Sequence, residues 1–154
     1  MLIFFWILFI GISGWISWTD YKQHAIYDFQ QLLLLVPVVG IAIIQQRVLE
    51  MLSGIALGLA VNSVIAASAY LIYKAETYGI GDVLLHGCIA GFLGPAAYVN
   101  YFIIAIIITA LCSSVYFGIK YHSLNHEYPL APWLFGCLAI FQIAGQPDII
   151  KILS

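Results

Sequence analysis

The chain has 154 residues, of which 64% are hydrophobic and only 8% charged, with a formal net charge of −2. So little charge cannot cover the surface of a soluble domain of this length, and a mean hydropathy of +1.04 assigns the chain to a membrane. The negative balance leaves no basic face for nucleic acid, and the length fits a single domain over residues 1–154.

Six apolar segments follow one another: Leu2–Trp18, Asp28–Ile44, Met51–Tyr73, Val83–Val99, Tyr101–Ile119 and Leu130–Ala144. Several are close to the lower limit of about 17 residues for crossing a bilayer. The runs are continuously apolar, without the alternation of barrel strands, so the fold class is all-α and polytopic, with about six transmembrane helices. The first run has no basic leader region and no A-x-A-like cleavage site, and reads as a retained span. Asp20 closes that span two residues before Lys22, and Asp28 opens the second as a helix cap. Glycines at four-residue spacing, Gly54–Gly58 and Gly87–Gly91, suit close helix packing in lipid. Asn62, Ser63, Ser113 and Ser114 fall inside spans and read as interhelical hydrogen-bonding residues. The fourth and fifth spans part only near Asn100, as a tight helical hairpin. Cys88, Cys112 and Cys137 sit in apolar runs without a CxxC pair and read as small hydrophobes. Trp6, Trp15, Trp18 and Trp133 suit packing and interfacial belts.

An even span count puts both termini on one side. The loops after spans one, three and five then hold Lys22, Lys74 and Lys120, against Arg47 and Lys151 opposite. That bias points the odd loops to the cytoplasm and both termini outside, and it gives Asp20 and Asp82 a common face. The same loops carry five acids (Asp20, Asp28, Glu76, Asp82 and Glu127) against the three lysines. An acidic face attracts a basic peptide; the plain alternative is chance among few charges.

The apolar sequence is broken near its midpoint at Lys74 to Asp82, ending in Gly79-Ile80-Gly81-Asp82. Gly79 and Gly81 allow positive φ and close backbone approach, and Asp82 stands where an N-cap belongs. An ordinary glycine turn with a helix cap accounts for this stretch equally well. Two carboxylates in one site do not readily both ionise, so one serves as base towards water and the other as acid towards a peptide carbonyl. Against this, Asp20 also reads as an interfacial acid paired with Lys22. His86, four residues after Asp82, shares a helix face with it and reads first as a satisfied intramembrane histidine. His122, His126 and Glu127 have helical ligand spacing without a third well-placed ligand, so no metal is assigned, and no cofactor.

These residues resemble the GxGD membrane aspartic peptidases, specifically the type IV prepilin peptidases. Asp20 opens a stretch similar to the family's DxxxxxIPN, with Ile26-Tyr27-Asp28 at the same spacing. Gly79-Ile80-Gly81-Asp82-Val83-Leu84-Leu85 matches GxGDxKL, and Pro129-Leu130-Ala131-Pro132 matches a PFGP-like turn before the last span. The resemblance implies that Asp20 and Asp82 are catalytic, that Gly79 and Gly81 shape the turn, and that Pro129 and Pro132 shape a neighbouring wall. It implies cleavage of the short basic leader of a prepilin or pseudopilin at the cytoplasmic face of the inner membrane, with the bilayer as the other partner. Among the departures from the pattern, Tyr27 replaces its proline and Leu84 its lysine. No cysteine-rich insert lies between spans one and two, so the resemblance implies peptide cleavage more securely than methyl transfer. A rival from another class is a small transporter or assembly factor using the acids as a proton relay. Relay acids tend to lie deep in a span, whereas Asp20 and Asp82 fall at span ends.

Overall fold

The computed structural model of the chain describes residues 1–74, 78–120 and 129–145. The helices are α1 Leu2–Gln23, α2 Asp28–Ile44, α3 Val48–Tyr73, α4 Ile80–Leu93, α5 Pro95–Lys120 and α6 Ala131–Ile143. The all-α polytopic expectation therefore holds. Among the described residues three helices, α1, α3 and α5, are long and apolar enough to cross a membrane; α2, α4 and α6 are shorter. The 14 residues of α4 reach about 21 Å, against an apolar core of about 30 Å. This short helix sits at the centre: every residue from Leu85 to Leu93 is buried, and α2, α3 and α5 pack around it.

The glycine spacing explains how α3 and α4 come so close. A Cβ at Gly58 would stand 2.7 Å from Ala90 Cβ and 2.8 Å from His86 O, and one at Gly54 would collide with Ala90 O. From the other side, a Cβ at Gly91 would lie 2.6 Å from Ile55 Cγ1. Backbones in lipid gain van der Waals contact at such crossings, because burying apolar surface yields nothing there. On the opposite side of α4, Phe92 stacks on Phe9 of α1 with ring centroids 4.4 Å apart, while Trp6 meets the Phe92 edge at 5.2 Å.

The break expected near Asn100 lies six residues earlier. α4 ends at Leu93, Gly94 turns the chain at φ 80 and ψ 165, and Pro95 opens α5. That backbone region is open essentially to glycine alone, and proline is suited to a first helical position. Asn100 is instead buried within α5. Of the polar span residues, Asn62 bonds across helices, whereas Ser63 is exposed and Ser114 bonds Ala110 O of its own helix. The Ser113 side chain lies outside the described set.

Candidate active site

Asp20 occupies the last turn of α1 and is only 5% exposed. Its Oδ2 accepts the backbone N–H of Ala131 at 2.7 Å. Ala131 is the first residue of α6, Pro132 the second, and Pro129 is buried just before them. The first N–H groups of a helix have no partner within it and carry the positive end of its dipole, so a carboxylate is stabilised there. The proline-flanked turn thus delivers one free amide to Asp20. Lys22 is engaged elsewhere, with Nζ 5.0 Å from the Trp18 ring centroid, so the pairing of Lys22 with Asp20 gives way to the Ala131 amide.

Asp82 is not the N-cap of α4. Gly79 holds that position at φ −75 and ψ 154, and Asp82 is the third residue of the helix. From there its Oδ2 reaches back to accept the Gly79 N–H at 3.2 Å. Neither Gly79 nor Gly81 has positive φ, which corrects the expectation from sequence. What Gly81 supplies is room. A Cβ there would stand 3.2 Å from Ile26 O and 3.4 Å from Gln31 Nε2, and that same amide donates to Gly81 O at 2.8 Å. A Cβ at Gly79 would meet Asp82 Oδ2 at an ordinary 3.5 Å.

Asp82 precedes the apolar run that starts at Val83. Burial pushes its carboxyl up to about 6; the Gly79 amide pulls the other way, and the negative charge of Asp20 pushes it further up. Asp20 thus closes α1, and Asp82 stands in the first turn of α4, while the start of α6 supplies the amide that holds Asp20.

The start of α2 completes this end. Gln30 Nε2 donates to Thr19 Oγ1 at 3.0 Å, and its Oε1 accepts the Tyr27 N–H at 3.3 Å, which ties the end of α1 to the first turn of α2. Tyr27 is the extended N-cap of α2, and Asp28 is the first helical residue and not the cap. Leu84 lines a cavity of about 300 Å³ together with Asp28, Gln31 and Cys88. His86 is buried and hydrogen-bonded to Tyr98 at 3.1 Å, as a satisfied membrane histidine. Glu76, Thr77, His122, His126, Glu127, Asp148 and Lys151 lie outside the described residues. Sequence reading missed Gln31 and the Ala131 amide. A glutamine in an otherwise apolar run was a visible signal; a backbone donor has none.

Residues 2–114 match the type IV leader peptidase family. The chain belongs to that family. The matched stretch contains Asp20, Gly79, Gly81 and Asp82, and it stops short of Pro129 and Pro132. No curated protein and no solved structure matches the chain. A prepilin peptidase-type protein of a leader-peptidase family is thus built here on an all-helical membrane scaffold.

Proposed function

We propose that the chain is an aspartic endopeptidase in which Asp20 and Asp82 form one catalytic unit. Its substrate is a type IV prepilin or pseudopilin, cut between a short basic leader and an apolar helix at the cytoplasmic face of the inner membrane. The observation that carries this reading is geometric: two carboxylates, at the end of α1 and the start of α4, each accept a backbone amide at a helix start.

The chemistry follows from that arrangement. One carboxylate is ionised and takes a proton from water as the water oxygen attacks the peptide carbonyl carbon. The other keeps its proton, because two adjacent negative charges repel, and gives it to the carbonyl oxygen. Collapse of the tetrahedral intermediate breaks the C–N bond, and the leaving nitrogen takes up a proton from the pair. The acidic Asp20, Asp28 and Asp82 at the site's end of the bundle suit a basic leader. Without a cysteine-rich insert between α1 and α2, the chain cleaves without methylating, which mass spectrometry of the mature pilin checks.

The deciding experiment is co-expression with a prepilin and a gel-shift assay. Asp20→Asn and Asp82→Asn should each abolish cleavage while the protein inserts and accumulates. The double variant should be hardly worse than either single one, because each removes the same step. A folded Asp82→Asn enzyme that cut at the parental rate would overturn the aspartic mechanism and favour a proton relay.

A further inference from the structure

The turn that carries Asp82 is also held from inside the bundle. Tyr78, immediately before Gly79, donates its hydroxyl to Asn62 Oδ1 on α3 at 2.7 Å. Asn62 Nδ2 donates to the Tyr98 hydroxyl on α5 at 2.8 Å and to Gly58 O at 2.8 Å. The Tyr98 oxygen in turn stands 3.1 Å from His86 Nδ1 on α4. Asn62, Tyr98 and His86 are buried, which shields the bonds among them from water, while the Tyr78–Asn62 bond is part-buried.

The direction of the chain follows from what each group can do. Gly58 O only accepts, so the Asn62 amide must turn its NH₂ towards it and its oxygen towards Tyr78. Tyr78 must then donate. Tyr98 receives the second Asn62 proton, and its oxygen is hydrogen-bonded to His86 Nδ1. Four residues on α3, α4, α5 and the intervening turn therefore form one hydrogen-bonded line that ends beside Gly79. The Tyr78 hydroxyl is held in its protonated, donating form, first by burial and then by the nearby charge of Asp82.

We infer that Tyr78 is a positioning residue for Asp82: its bond to Asn62 fixes the turn whose Gly79 amide holds the Asp82 carboxylate. This rests on the catalytic pair proposed above. Tyr78 does not take part in proton transfer itself. It sets where the carboxylate stands, and a displacement of about an ångström is enough to cost up to roughly a hundredfold in rate.

The test is steady-state cleavage of a detergent-solubilised prepilin by the parent, Tyr78→Phe, Asn62→Ala and the double variant. Tyr78→Phe keeps the ring and removes only the hydroxyl. It should lower kcat by about tenfold or more, with KM unchanged and the melting temperature close to the parent's. Adding Asn62→Ala to Tyr78→Phe should cost little more, since the same link is already cut. A parental kcat in folded Tyr78→Phe overturns the role, as does a raised KM with kcat unchanged or a fully additive double variant. If Asn62→Ala fails to accumulate, the kcat of Tyr78→Phe decides alone. Asp82→Asn inactive beside a parental Tyr78→Phe overturns the positioning role only. An active Asp82→Asn overturns the catalytic pair and this role with it.

Discussion

The Asp20 carboxylate and the Ala131 amide meet at 2.7 Å across 111 positions of sequence, joining the end of α1 to the start of α6. One contact satisfies an otherwise orphaned helix donor and fixes the direction of a buried acid. The two roles separate by substitution. Asp20→Asn keeps an oxygen that accepts the Ala131 N–H, so the protein should melt close to the parent while losing cleavage. Asp20→Leu leaves that buried donor without a partner, at a cost of about 1–3 kcal/mol. Thermal unfolding in detergent compares them; equal melting of the two variants would show that the contact contributes nothing to stability.

The two glycines of the Asp82 turn should respond differently to alanine. At Gly81 a methyl group presses on Ile26 O at 3.2 Å and on the Gln31 amide at 3.4 Å. The start of α4 must then move away from α2, and cleavage should fall by roughly tenfold, as for other small displacements of reacting groups. At Gly79 the methyl group meets only an ordinary contact, so activity should fall less than at Gly81. Kinetics of the two single variants test the order; Gly79→Ala as the more damaged enzyme would contradict the packing account.

The raised carboxyl of Asp82 makes stability depend on pH with a definite sign. Its ordinary value is 3.8 and the folded protein holds it at about 6. Folding thus strengthens proton binding, so the stabilisation is complete below about 3.8 and is lost as pH rises through about 6. The melting temperature of the parent should decline across that window, and Asp82→Asn should flatten the decline. Cleavage rates should show an ionisation in the same range, belonging to the coupled pair and not to one residue. An identical pH slope in parent and Asp82→Asn would exclude Asp82 as its source.

Orientation is open to direct labelling. In a cysteine-free background, single cysteines at the exposed positions His24 and Lys74 should react only from the cytoplasm, and one at Gln46 only from outside. These positions flank α1, α3 and α2 on the sides assigned by the lysine bias. Reaction of His24 from outside would reverse the orientation and place the acids on the wrong face for a cytoplasmic leader.

Composition and local pattern determined a good deal by themselves. Continuous apolar runs specify helices, because lipid offers nothing else to backbone polar groups, and the bounds of α2 coincide with its apolar segment. The interruption at Gly79–Asp82 and the spaced glycines of α3 and α4 were legible for the same local reason. The Gly94-Pro95 pair was an equally local signal for the break between α4 and α5, passed over in favour of polar Asn100. Other features depend on which helices meet. Asp20 is anchored by an amide from the far end of the chain, Gln31 holds Gly81, and Asn62 receives Tyr78. No residue type announces a free backbone donor, and a side chain's partner is set by the face its helix turns towards a neighbour. Gly81 is needed for the space between α2 and α4 and not for its φ, and only the packed tertiary structure distinguishes those two uses of a glycine.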